Sequence, residues 1–143
     1  MYPELMVVPM REELTRLGVQ ELRAPEDVDQ FVRREGTVMI VVNSVCGCAA
    51  GRMRPAVRMA LENAAKPDHV GTVFAGQDRD ATARARTYFN GFPPSSPAIA
   101  LLQDGHVQHI LQRSDIEHRE AEDIASELTS AFNRLCAGKG VSS

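Results

Sequence analysis

The sequence has no tryptophan, only three cysteines, no long apolar run and no surplus of basic charge. Three is an odd number, and two of the cysteines are separated by a single residue. A secreted disulfide scaffold would instead show an even set spread along the chain. With 16 Lys and Arg against 19 Asp and Glu, the formal net charge is −3. That balance leaves no clustered basic footprint for nucleic acid or for an anionic membrane surface. No apolar stretch is long enough to span a bilayer. Met1-Tyr2-Pro3-Glu4 is not a basic region leading into an apolar one, so no signal peptide is read there. A cytoplasmic protein is expected, with neither nucleic acid nor membrane as a partner. In that reducing setting a close cysteine pair points to redox chemistry or metal binding rather than to a structural bridge.

What is present fits one core. The chain has 143 residues, 43% of them hydrophobic, which suits a single domain without metals or multiple disulfides to hold it. Residues 1–137 read as that domain and 138–143 as a polar tail, with no internal repeat. Pro9 to Leu17 places Met10, Leu14 and Leu17 at helical spacing, and Gly18 stops the helix. Gln20 to Leu22 is a short strand. Pro25 suits a first helical position, with Val28, Phe31 and Val32 forming the buried face. Thr37 to Val42 is a β-branched, continuously apolar run, the pattern of a central strand buried on both faces. A helix is expected from about Cys48 to Ala65, kinked at Pro55 because proline cannot donate to the carbonyl of Gly51. Val70 to Phe74 is the next strand, and Asp78 to Phe89 the next helix, with Asp78 as its cap. Ala98 to Leu102 and Val107 to Leu111 form a hairpin around Asp104-Gly105. A last helix follows, opened by a capping box of Ser114 and Glu117.

Strand–helix–strand crossovers give parallel pairing, and the hairpin adds an antiparallel edge. The expected fold is therefore α/β and thioredoxin-like: three layers, a central mixed sheet flanked by helices, with an N-terminal helical extension.

The chemistry gathers at Cys46-Gly47-Cys48, directly after the central strand and at the mouth of a helix. Unpaired N–H groups and the helix dipole favour a thiolate there, and the thiolate is the species that attacks a disulfide. Cys46, preceding the helix, is read as the more exposed, attacking thiol; Cys48 resolves the mixed disulfide or modulates its neighbour. Gly47 permits a sharp turn and leaves room for a substrate backbone. Asn43 and Ser44 are placed to donate to sulfur or to cap the helix. Two inert buried thiols are the bland alternative, and a strand-to-helix turn is a poor place to hide them. A metal site would need about four ligands; His69, His106, His109, His118 and Cys136 show no ligand spacing with the pair, so no metal is assigned. Cys136, in phase with Phe132, reads as core, while Arg52 and Arg54 read as solvated helix-face charges that could also support an anionic thiol. His106 and His109 are expected to face solvent. The second element is Pro93-Pro94-Ser95-Ser96-Pro97 ahead of a strand. In thioredoxin-like proteins a proline before this strand is cis and presents backbone to an extended substrate. Pro97, preceded by Ser96, is the candidate here. The alternative is a Pro-rich turn with all bonds trans, the one the segment would favour without the cysteine motif.

Four segments together resemble the bacilliredoxin family: Val8-Pro9-Met10-Arg11, Val41 to Gly51 with its Ser-Val-Cys-Gly-Cys core, Thr72 to Asp78, and Pro93 to Pro97. The resemblance runs from Met1 to about Cys136. It implies a thioredoxin-like fold and removal of bacillithiol, a low-molecular-weight thiol, from mixed disulfides on client proteins. Cys46 and Cys48 would be catalytic, with Asn43, Ser44, Gly47, Ser96 and Pro97 against the substrate. No bound cofactor is implied, and bacillithiol would be the co-substrate. Ordinary thioredoxin has a Trp before its Cys-x-x-Cys, and its absence here argues against thioredoxin reductase as the direct electron source. General disulfide reduction or isomerisation remains as an alternative use of the same chemistry. A non-enzymatic thiol sensor or metal-binding module is the third.

Overall fold

The computed structural model describes residues 1–136; the polar tail expected at 138–143 lies outside them. The run Thr37–Asn43 forms strand β2, and all seven residues are buried. Its side chains alternate between two cores. Met39 and Val41 enter one and Val38, Ile40 and Val42 the other, so a continuous apolar run satisfies both faces of one strand.

Around it, β1 (Gln20–Glu21), β3 (His69–Phe74), β4 (Ala98–Gln103) and β5 (His106–Leu111) complete a sheet ordered β1-β3-β2-β4-β5. The β1–β3 and β3–β2 pairs are parallel, and the β2–β4 and β4–β5 pairs antiparallel. The β4–β5 turn has φ of +54° at Asp104 and +78° at Gly105, the positive pair that a two-residue type I′ hairpin requires. At Gly71 the constraint is space, since a Cβ there would sit 2.9 Å from both Leu22 and Phe31.

One face of the sheet is covered by α1 (Glu4–Thr15), α3 (Arg54–Ala60) and α6 (Ala121–Leu135), packed through Leu14, Val57, Ala60, Ile124, Leu128 and Phe132. The other is covered by α2 (Pro25–Val32) and α4 (Arg79–Thr87), through Val28, Phe31, Ala81 and Ala85. These are the three layers expected. Cys136 is buried in the first core, as its phase with Phe132 implied.

Four boundaries differ from the expectation. Helix α1 starts at Glu4 and carries Pro9 inside it, because Val7 and Arg11 are both buried on its inner face. The helix expected over 48–65 is a π-helical turn, Ala49–Met53, running into α3. In that wider turn Arg54 N–H donates to the Ala49 carbonyl. Pro55 therefore falls in the first turn of α3, where its missing N–H costs nothing. The helix ends at Ala60 because Asn63 turns its amide onto the Ala65 carbonyl, at 2.7 Å, and onto Asn133. A separate short helix, α5 (Arg113–Ile116), precedes α6. Its start is fixed by the Gln112 N–H donating to Asp115 at 2.9 Å rather than by a Ser114–Glu117 box. Asp78 makes no side-chain cap on α4, since its carboxylate is bound by Arg11.

Candidate active site

β2 ends at the buried Asn43, and the chain turns through Ser44, Val45 and Cys46 into the π-helical segment. The Cys46 carbonyl accepts from the N–H groups of Ala49 and Ala50, at 3.1 and 3.2 Å, so Cys46 stands at the mouth of the helix. The sulfurs of Cys46 and Cys48 are 3.5 Å apart. The Ser44 hydroxyl donates to Cys46 Sγ at 3.3 Å and also accepts from the Cys46 N–H at 3.3 Å.

These contacts separate two otherwise similar thiols. Burial works against a Cys46 thiolate, but the Ser44 hydroxyl, the Ala49 N–H and the Cys48 thiol and N–H outweigh it, and Cys46 lies below the ordinary thiol value. Burial, the hydrogen bond with Cys46 and the charge of its thiolate push Cys48 up, with Arg113 acting the other way. Of the two, Cys46 is the thiol that gives up its proton more readily and Cys48 the one that holds it. Exposure does not separate them, contrary to the expectation of a more exposed Cys46: both are half-buried. Gly47 is exposed, and a Cβ there would meet nothing within 4 Å. Its φ is not positive, so glycine keeps the approach to the sulfurs open rather than enabling a sharp turn.

Asn43 is fully buried. Its Nδ2 donates to the Met10 carbonyl at 3.1 Å, and its Oδ1 accepts from the Ser44 N–H and from Arg54 Nη1, each at 2.9 Å. Arg54 Nη1 donates further to the Ser44 carbonyl at 3.0 Å. The expected solvated charge at Arg54 is instead a buried cation holding the backbone that carries Cys46. Glu13 lies 3.1 Å from Arg54 Nε, a charge pair in which the N–H is not aimed at the oxygen. Asn43 thus presents no atom to a substrate, while Ser44 reaches the sulfur directly.

The Ser96–Pro97 peptide bond is cis. Ser96 lines a cleft of about 370 Å³ with Ser44, Val45, Cys46, Ala75 and Gly76; Pro97 is buried behind it. Tyr2, Arg86 and Arg113 complete the lining, and the sequence reading singled out none of them. Arg113 was legible in principle, because β5 runs antiparallel to β4 and its end returns beside the start of β4, with Leu111 opposite Ile99. Arg86, in the last turn of α4, left no signal in the sequence. His106 is exposed as expected, whereas His109 is half-buried with Nε2 2.7 Å from Glu127. Among the described residues no group of three or more His, Cys, Asp or Glu side chains is gathered for a metal.

The "Disulphide isomerase" family model matches residues 2–136. A bacilliredoxin of Koribacter versatilis is 60% identical over 137 residues, covering 95% of this chain and 94% of the relative. The chain belongs to the bacilliredoxin family. Other bacilliredoxins agree: one from Geobacillus kaustophilus is 52% identical, covering 94% of each chain, and one from Cytophaga hutchinsonii 51%, covering 94% of this chain and 100% of that one. Solved structures show the fold. The Malassezia sympodialis thioredoxin aligns with a TM-score of 0.58 at 16% identity, over 82% of this chain and 90% of that one. Oxidised thioredoxin from Plasmodium falciparum aligns with 0.57 at 15%, over 82% and 98%. This bacilliredoxin is a thioredoxin-fold thiol–disulfide oxidoreductase, and no helix among its described residues is long and apolar enough to cross a membrane.

Proposed function

We propose that this bacilliredoxin acts in the cytoplasm to remove bacillithiol from mixed disulfides on client proteins, with Cys46 as nucleophile. The observation that carries the reading is the unequal thiol pair: a Cys46 held below the ordinary thiol value, 3.5 Å from a Cys48 held above it, at the edge of an open cleft. The Cys46 thiolate attacks the bacillithiol sulfur, the client–bacillithiol S–S bond breaks, and the client leaves as a thiolate. Bacillithiol is then disulfide-bonded to Cys46. A second bacillithiol thiolate clears it as the symmetrical disulfide; alternatively Cys48 attacks Cys46 Sγ, releasing bacillithiol and closing a Cys46–Cys48 disulfide. The protonated Cys48 first serves as hydrogen-bond donor to the thiolate, and it becomes the better nucleophile once the Cys46 charge is consumed. Ser44 stabilises the thiolate, and Ser96 with the cis Pro97 offers backbone beside the sulfur to an extended client segment.

The test is release of bacillithiol from a bacillithiol-modified client by reduced protein. Release that needs Cys46 supports the reading. No release from a folded protein with reactive thiols overturns it in favour of general disulfide exchange or isomerisation, the use that the family's printed description favours.

A further inference from the structure

The cleft beside Cys46 is lined by two guanidinium groups and, among the described residues, by no carboxylate. Arg86 is half-buried; its one hydrogen bond among these residues goes from Nη2 to the Ser95 carbonyl at 3.3 Å, and its buried Nε donates to nothing. Burial pushes its pKa down, with no opposing anion. A guanidinium remains charged in proteins, so this is a partly desolvated cation with no ion pair among the described residues, an arrangement that costs free energy until an anion arrives. Arg113 reaches the same cleft from the start of α5. It donates to Glu117 at 3.0 Å and lies within electrostatic range of both sulfurs. Arg52 and Arg54, which the sequence placed nearest the motif, line none of it.

We propose that Arg86 and Arg113 form a carboxylate subsite that makes Cys46 prefer mixed disulfides whose low-molecular-weight thiol carries negative charge. This rests on the reading of Cys46 as a thiol-transfer nucleophile and adds the chemical class of thiol it selects. The guanidinium fork of Arg86 binds a carboxylate while the sulfur of the same molecule meets Cys46 across the cleft. Orientation of the disulfide then follows, with the anionic thiol bonding to Cys46 and the other half leaving as thiolate. One S–S bond breaks, one forms, and no net electrons are consumed. Such a pair also offsets the repulsion that a bare thiolate exerts on an incoming anion.

The experiment uses three small symmetrical disulfides as probes: bis(carboxymethyl) disulfide, bis(2-hydroxyethyl) disulfide and cystamine, which are anionic, neutral and cationic. Rates of Cys46 adduct formation are read by mass spectrometry on the Cys48→Ser protein, alone and with Arg86→Gln or Arg113→Gln added. The expected result is an anionic-to-neutral rate ratio that falls on the order of tenfold with Arg86→Gln, less with the exposed Arg113→Gln, while the cationic-to-neutral ratio rises. Ratios that move in neither variant overturn the subsite. If Arg86→Gln does not fold, Arg113→Gln and the salt dependence of the ratios decide, a charge preference being screened as salt rises. The two readings fail separately. Bacillithiol release with an arginine-independent charge preference leaves the function and removes the subsite; an arginine-dependent preference without bacillithiol release keeps the subsite and points to another anionic thiol.

Discussion

The Arg11 guanidinium meets the Asp78 carboxylate in two hydrogen bonds, of 2.8 and 3.2 Å, tying α1 to the turn between β3 and α4. Arg11 is only 7% exposed, stacks 5.1 Å from the centroid of Phe74, and donates from Nε to Glu4 at 2.9 Å. One residue earlier, the Met10 carbonyl receives the Asn43 amide. Three segments that resembled the family separately in sequence, around Arg11, Asn43 and Asp78, are therefore one structural unit behind the cysteines.

Asp78→Ala should destabilise the protein by about 2–3 kcal/mol, because it removes the closest partner of a buried Arg11 and leaves it the exposed Glu4 and a more distant Glu21, 3.9 Å away. Urea denaturation should show a lower midpoint with an unchanged slope. Arg11→Met combined with Asp78→Ala should cost less than the sum of the two single changes, since the pair is removed together. Strict additivity would mean that the two side chains do not act as a pair.

Ser44→Ala should raise the Cys46 pKa. Burial already disfavours the thiolate, and the hydroxyl is the foremost of the groups that overcome it. The sign follows directly: a higher pKa means less thiolate at neutral pH and slower alkylation by iodoacetamide. The pH profile of alkylation should shift to higher pH in the variant and converge with the parent rate once both thiols are ionised. An unshifted profile would remove Ser44 from the thiolate's support.

Cys48→Ser should keep the first half-reaction and accumulate a bacillithiol adduct on Cys46, seen as an intact-mass increase, whereas Cys46→Ser should form none. In Cys46→Ser the neighbouring thiolate is gone, so the Cys48 pKa should fall back from its raised position. Adduct on Cys48 in the otherwise unchanged protein would reverse the roles.

Gly71→Ala should cost about 1–3 kcal/mol, the range for overpacking a filled core. Its methyl would stand 2.9 Å from Leu22 Cδ1 and Phe31 Cε2. Thermal unfolding measures it, and an unchanged midpoint would show that Leu22 and Phe31 can retreat freely.

Much of the fold was legible because its signals are local. The apolar run at 37–42, the Asp104-Gly105 turn and the periodicity of α6 each report on neighbouring residues alone. Boundaries failed where distant groups intervened: Pro9 is carried inside α1 because Val7 and Arg11 are buried, and Asp78 is drawn from its cap by Arg11. Within the site, Cys46, Cys48 and Ser44 were legible because they are adjacent in sequence at a strand-to-helix turn. Arg54 was misjudged since nothing local tells a solvated arginine from one turned inward onto Asn43.

The sequence by itself determined that there would be a two-sided central strand, a hairpin edge and a thiol pair at a helix mouth, since hydrophobic periodicity, turn chemistry and residue spacing are properties of contiguous chain. Only the tertiary structure showed which groups pull the two thiols apart and what else faces Cys46. Those depend on distances between elements: a hydroxyl, two N–H groups and a second sulfur around Cys46, and two arginines brought from α4 and from the end of the hairpin to one cleft. Electrostatic balance at a site is a sum over neighbours in space, and spatial neighbours are what a sequence does not list.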